Sequence, residues 1–325
     1  MTSSLSPTPA THAPDCQPDV TSLRVASVEQ YVARYPEPRA ILTLLKPVTW
    51  FPPMWAFGCG LVASGVALGT HVGLLLLGAL VTGPLVCGAS QAVNDWFDRH
   101  VDAINEPNRP IPSGRIPGQW GLVIAIGWSA LAALAGWQLG PFGAAATGVG
   151  LVLAWAYSAP PLRLKLNGWW GNLAVGLSYE GLAWVTGHAV ALGGATPPGR
   201  SLLLALCYSL GGHGIMTLND FKAIEGDRVL GVRSLPVQLG PERAARFACL
   251  VMLVFQVAAL LIAAPVVPVW AIALHATLIA AQLPLMRRLL TDPRALAPWY
   301  NATGILLYVL GMLVSAFGLR AGVSL

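Results

Sequence analysis

The sequence predicts an all-α polytopic membrane protein, and two observations carry that expectation. Of the 325 residues 55% are hydrophobic and only 10% charged, where a soluble domain carries about 25% charged residues, and the mean hydropathy is +0.63. Apolar segments long enough to span a bilayer, which takes about 20 residues, also recur along the chain.

Residues 1–40 are rich in Ser, Thr, Pro and charge and lack the apolar core of a signal peptide. They read as a mobile cytosolic tail whose last part lies on the membrane surface, leaving 41–325 as the membrane domain. Nine apolar segments follow, at 49–67, 73–93, 120–137, 142–157, 169–192, 202–218, 244–263, 267–285 and 300–319. Gly and Pro within them do not exclude spanning, because neighbouring helices satisfy freed backbone groups; the fourth segment is the shortest. The five cysteines (Cys16, Cys59, Cys87, Cys207, Cys249) are scattered and form no CxxC, so neither a disulfide framework nor a zinc site is implied.

The net charge of +5 does not point to nucleic acid, because the basic residues are spread over many short loops. They set orientation instead. Arg24, Arg34, Arg39 and Lys46 precede or follow the tail's end, and Lys and Arg crowd the loops after the second, fourth, sixth and eighth segments, while only Arg200 and Arg320 fall on the other side. By the positive-inside rule the N-terminus is cytoplasmic and the C-terminus outside.

One stretch closes the second apolar segment with carboxylates: Asn94-Asp95-Trp96-Phe97-Asp98-Arg99-His100-Val101-Asp102. At about 100° per residue, Asn94, Asp95, Asp98 and Asp102 share an arc of roughly 100°. Charge at a membrane helix end is costly, and like charges on one face repel unless a cation neutralises them. Oxygen-only ligands suit Mg²⁺, which shares its shell with water and substrate phosphates. The plainer reading is an acidic helix end solvated by headgroups and paired with Arg99. A second copy of the spacing favours the metal: Asn219-Asp220-Phe221-Lys222-Ala223-Ile224-Glu225-Gly226-Asp227 repeats the register, with Ala223 where Asp98 stands. Asn94, Asp98, Asp102, Asp220 and Asp227 are therefore the expected metal ligands, Glu225 a weaker one.

Both motifs end even-numbered segments and so face the cytoplasm. The loops beside them supply diphosphate-binding candidates, Arg109, Arg163, Lys165 and Arg233, although topology alone would also explain basic loop residues. Arg163 and Lys165 sit in Tyr157-Ser158-Ala159-Pro160-Pro161-Leu162-Arg163-Leu164-Lys165, where two prolines stiffen the chain.

These residues resemble the UbiA superfamily of membrane prenyltransferases, through the first acidic motif, Asn108-Arg109-Pro110, the Tyr157-Ser158 turn and the second acidic motif with Arg233-Ser234. The stretches 102–114, 157–165 and 220–228 are similar to the chlorophyll synthase branch, and Trp96, His100 and 178–184 to its bacteriochlorin-using members. The resemblance spans roughly residues 40–320. It implies an Mg²⁺-dependent enzyme in which an allylic C20 diphosphate, geranylgeranyl or phytyl, ionises and the 17-propionate of bacteriochlorophyllide a captures the cation. Asp95 and Tyr157 are the expected catalytic residues, Tyr157 through its π-face. The expected setting is an inner or intracytoplasmic photosynthetic membrane, with pigment-synthesis or photosystem-assembly proteins as partners.

His71, His100, His188, His213 and His275 are candidate ligands for the macrocycle's magnesium. His213, about two turns before Asp220, leads them, and Glu180, an intramembrane carboxylate, is the second macrocycle candidate. Chlorophyllide a as acceptor, or a quinone or haem prenyltransferase, would share the metal site and differ in the acceptor pocket. A cation transporter would place its carboxylates near the midplane on broken helices, unlike these.

Overall fold

A computed structural model describes residues 35–323, apart from 68, 70 and 71. Proline, whose fixed φ and missing N–H suit a first helical turn, opens α1 (Pro38–Leu45) and stands near the start of α2 (Phe51–Ala63). The next long helix is α3 (Val72–Leu80), a π-helical Val81–Cys87 containing Pro84, and α4 (Gly88–Asn105). After α5 (Trp120–Trp137) and α6 (Gly140–Ser158) comes a second interrupted helix: α7 (Gly168–Gly176), a π-helical Leu177–Leu182, and α8 (Ala183–Ala191). The chain continues through α9 (Gly199–Asn219), a 3₁₀ turn Asp220–Ala223, α10 (Ile224–Leu230) and α11 (Leu235–Leu239). It ends in α12 (Pro241–Ala263), α13 (Val269–Leu289) and α14 (Pro293–Val323).

Every expected apolar segment is helical, and the described residues hold no strand beyond an isolated bridge between Asn167 and Arg233. Among the described residues, seven helices are long and apolar enough to cross a membrane. The other two expected segments are α2, which has 13 residues, and 168–191, where Asn172, Ser178, Glu180 and His188 dilute the apolar character. The protein is an integral membrane protein.

Two expected boundaries shift. Residues 1–34 of the expected tail lie outside the described residues, as does His71, and the boundary at 40 falls inside α1. There Ala40, Leu44 and Leu45 are buried with Ala92 and Val93 of α4, so this segment belongs to the bundle. Helix α4 runs past 93 to Asn105, which makes the whole first acidic motif helical.

Small residues let helices touch where lipid offers no hydrophobic drive between them. Gly60 of α2 lies against the Trp184 backbone of α8, and Gly187 of α8 against the Phe57 backbone of α2; any side chain at either position would push the pair apart. Deeper in the bundle, fully buried Gln256 and Gln282 exchange amide hydrogen bonds of 3.0 and 3.2 Å between α12 and α13. In an apolar bundle polar groups must find partners within the protein; each amide pairs with the other, and Gln256 Nε2 also donates to the Met252 carbonyl at 3.2 Å. Gln282→Leu strands the Gln256 side chain and should cost about 0.6–2 kcal/mol, read as a lower Tm in detergent. The Gln256→Leu/Gln282→Leu double variant should recover most of that loss, because no amide is then left unpaired. A Gln282→Leu protein as stable as the parent would contradict the role given to this pair.

Candidate active site

Helix α4 presents Asn94, Asp95, Asp98 and Asp102 along one face, and three loops bring cations to it. Lys46, in the left-handed conformation (φ 47°) after α1, donates from Nζ to Asp95 Oδ1 at 2.7 Å. Arg109 spans Asp95 at 3.4 Å and Asp102 at 2.9 Å, and its Nε donates to Glu106. Lys165 Nζ reaches Asp98 Oδ2 at 2.5 Å, with Arg163 at 3.7 Å from the same carboxylate. Arg99, the cation expected in the plainer reading, instead stacks over the Trp96 ring at 4.0 Å.

These contacts sort the expected ligands. Asp95 and Asp102 are buried, at 2% and 6% exposure, and Asp102 is tied to Arg109 rather than open to a metal. Asp95 keeps one oxygen, Oδ2, buried and unpartnered. Asp98 remains half-buried, between the two basic residues expected to hold diphosphate. Burial pushes the Lys165 ammonium below the ordinary lysine range, against the opposing pull of Asp98. The hydrogen bond from Arg109 holds the Glu106 carboxyl below the usual carboxylate range.

The second motif departs from the expected register. The α-helix stops at Asn219, and the 3₁₀ turn Asp220–Ala223, with three residues per turn, rotates α10 relative to α9. Asp220 Oδ2 accepts from Asn172 Nδ2 at 3.2 Å. Asp227 sits one turn on, its carbonyl accepting from Val232 N at 2.8 Å. Glu225 is exposed and pairs with Arg294 at 3.1 Å and Arg228 at 3.4 Å, outside the site. The exposed Arg233 ties the second-motif loop to the Lys165 loop through its backbone: its N–H donates to Leu166 O and its carbonyl accepts from Gly168 N, both at 2.9 Å.

The two motifs meet at a cavity of about 630 Å³ lined by Asn94, Asn219, Tyr157, Tyr179, Glu180 and Gln91, among others. Tyr157 lines this cavity together with Asn94 of the first motif and Asn219 of the second. Three participants carried no site role in the sequence reading. Asn219 heads the second motif just as Asn94 heads the first, and that parallel was the available signal. Lys46 was counted only for topology, and Asn172 lies inside an apolar segment with nothing to mark it.

His213 is the clear correction. It lies on α9 as expected, but packs against Trp169 and Phe247, with ring centroids 5.9 and 5.6 Å away, and its Nε2 is 3.1 Å from the Trp169 carbonyl. It does not line the cavity, because that face of α9 is taken up by α7 and α12. His188 and His275 are likewise engaged, by Ser201 at 2.9 Å and Ser315 at 3.3 Å.

Comparison with known proteins agrees with this geometry. The model of the UbiA prenyltransferase family matches residues 49–310. The chain is 56% identical over 289 residues to the bacteriochlorophyll synthase 33 kDa chain of Cereibacter sphaeroides, covering 88% of this chain and 94% of that one. It is 41% identical over 288 residues to the chloroplastic chlorophyll synthase of Oryza sativa subsp. japonica, covering 85% and 75%. The fold matches the structure of a UbiA homologue from Archaeoglobus fulgidus bound to GPP and Mg²⁺ with a TM-score of 0.62 at 20% identity, covering 88% of this chain and 98% of that one. The family match over most of the chain and the identity to these relatives agree, and the chain belongs to the UbiA prenyltransferase family.

Proposed function

We propose that this enzyme esterifies the 17-propionate of bacteriochlorophyllide a with an allylic C20 diphosphate, geranylgeranyl or phytyl. The observation that carries the reaction is the cavity whose mouth joins Asn94, Asn219 and Tyr157, with an acidic motif and basic loops on either side. The acceptor follows the 56% identity to a bacteriochlorophyll synthase, against 41% to a chlorophyll synthase.

Mg²⁺ fits the donor set. Among the described residues no three acidic, His or Cys side chains form a closed metal site, and Mg²⁺ needs none, since it binds through one or two carboxylates plus substrate phosphates. Asp98 and Asp227, with Asn94 and Asp220, would hold it; bound there, the ion acts as a Lewis acid toward the departing diphosphate.

The chain's own groups do the remaining work. Lys165 and Arg163, now paired with Asp98, and Arg109 and Arg233 supply donors for the diphosphate oxygens and offset the charge that grows on them. Asp95 orients Lys46 and Arg109. The Tyr157 ring faces the allylic carbon and stabilises positive charge through its π-face. Apolar lining from α2, α6, α7 and α9 excludes water that would quench the cation. The acceptor's carboxylate is itself the nucleophile, so no protein nucleophile is required. The site and the N-terminus face the cytoplasm of an inner or intracytoplasmic photosynthetic membrane, where neighbouring pigment-synthesis proteins can deliver the acceptor.

The direct test of the acceptor is competition between equal concentrations of bacteriochlorophyllide a and chlorophyllide a in membranes supplied with geranylgeranyl diphosphate and Mg²⁺. A preference for the bacteriochlorin, read by chromatography of the esterified pigments, is expected; an equal or reversed ratio contradicts the acceptor and leaves the prenyltransferase reaction standing.

Lys165 gives the reaction a pH signature. Burial favours its neutral form, so the charge that binds diphosphate is present at low pH and is lost, as pH rises, sooner than on an exposed lysine of pKa about 10.4. The alkaline limb of kcat/KM for the diphosphate should therefore lie below that value and move upward in Lys165→Arg, whose guanidinium stays charged. An unmoved limb would show that Lys165 does not carry it.

A further inference from the structure

The cavity is mostly apolar but carries a few polar groups that the prenyl donor does not explain. Beyond its diphosphate, a C20 donor is hydrocarbon. Yet the two π-helical segments, Val81–Cys87 and Leu177–Leu182, contribute Thr82, Cys87, Ser178, Tyr179 and Glu180 to the lining. Such π-turns occur frequently at functional sites.

Most of these polar groups are satisfied within the protein, Thr82 and Ser178 by backbone carbonyls one turn back at 3.0 and 2.8 Å. The Tyr179 hydroxyl lies 3.2 Å from Cys87 Sγ and 3.4 Å from Gln91 Nε2, and Cys87 lies 3.4 Å from Thr49 Oγ1. Glu180 differs. Eight buried side-chain polar atoms among the described residues lack a partner, and only Glu180 Oε2 belongs to a residue that lines the cavity. Gly212 stands beside it: a Cβ there would come 2.9 Å from Oε2, so the glycine leaves the carboxyl its space. No salt bridge involves Glu180 among the described residues. An unsatisfied polar group inside a membrane bundle costs several kcal/mol, and Glu180, which lines the cavity while its Oε2 stays enclosed beside Gly212, carries one that a substrate group meeting this carboxyl can offset.

Depth supports that use. Glu180 lies eight residues beyond Asn172, the residue that holds Asp220, or about 12 Å along a helix. The reacting propionate must meet the diphosphate at the motif end, so Glu180 faces the ring at a distance from the reacting carboxylate. On the reading proposed above, the acceptor differs from chlorophyllide a in the saturation of one ring and in a 3-acetyl group where chlorophyllide a has 3-vinyl. Only the acetyl group accepts a hydrogen bond.

We propose that Glu180 is a specificity-determining residue that donates a hydrogen bond to the 3-acetyl carbonyl of the acceptor. A carboxyl group meets a carbonyl as the neutral acid, with one O–H to give. A vinyl group at the same place leaves that donor unpaired in an apolar cavity, which penalises the wrong acceptor.

The test uses 3-acetyl-chlorophyllide a and chlorophyllide a, which share ring saturation and differ in this substituent alone, with full-length enzyme in membranes. The parent enzyme should favour the acetyl pigment in kcat/KM by about tenfold or more, the value of one buried hydrogen bond. Glu180→Leu should bring the ratio near one, while Glu180→Gln, which keeps an N–H donor of similar shape, should retain most of the preference. If the Leu protein does not accumulate, Glu180→Ala serves for it. A ratio unmoved by loss of the carboxyl, or an equal fall with both pigments, overturns the assignment. If the parent enzyme esterifies neither these pigments nor bacteriochlorophyllide a, the proposed acceptor class itself fails, and this inference with it.

Discussion

The site depends on the neutralisation of one helical face. Asp95, Asp98 and Asp102 project from the end of a membrane helix, where unpaired charge is costly. Lys46, Arg109, Arg163 and Lys165 reach them from three separate connections. The ion pairs are not chiefly a source of stability, since desolvation offsets much of their attraction. Their consequence is positional: they tie the loops after α1, α4 and α6 to one face of α4, and on the proposed reaction these are the cations that meet the diphosphate.

The carboxylates then divide into two kinds. Asp95 and Asp102 are buried and organise basic residues. Asp98 stays half-buried between Lys165 and Arg163, one turn from Asn94 at the gap where the two motifs meet. A charged donor entering that gap can exchange partners with Asp98 without exposing any buried charge to hydrocarbon, because opposite charges are already balanced there. The π-helical segments deeper in the bundle complete the division, giving an ionic mouth and a cavity whose walls are mostly apolar with a few placed polar groups.

Much of this was legible in the sequence. The nine apolar segments, the shared face of Asn94, Asp95, Asp98 and Asp102, and the closeness of the Arg163–Lys165 loop to the first motif follow from helical periodicity and charge placement. What failed was continuity. The reading carried the α-helical register through 219–227, but a 3₁₀ turn intervenes, and the side chains that interrupt a helix at its membrane end leave no periodic signature. His213 was placed correctly on its helix and wrongly on its face, because which neighbour occupies each face is a tertiary fact. The π-turns at 81–87 and 177–182 were equally hidden, although Pro84 hinted at the first. Asn172 acts through a contact with Asp220, 48 residues away in the chain, and a lone amide inside an apolar segment, with no charge or motif to mark it, gives a single sequence no reason to pair the two.

The central claim is that two acidic motifs on different helices make one Mg²⁺-diphosphate site. It is tested most directly by titrating Mg²⁺ against prenyl transfer in membranes carrying Asp98→Ala or Asp227→Ala, with detergent-resistant folding checked in parallel. Each substitution alone should abolish measurable turnover at all Mg²⁺ concentrations while the protein still accumulates and melts cooperatively. Near-normal turnover in both variants, with unchanged Mg²⁺ dependence, would contradict a shared site.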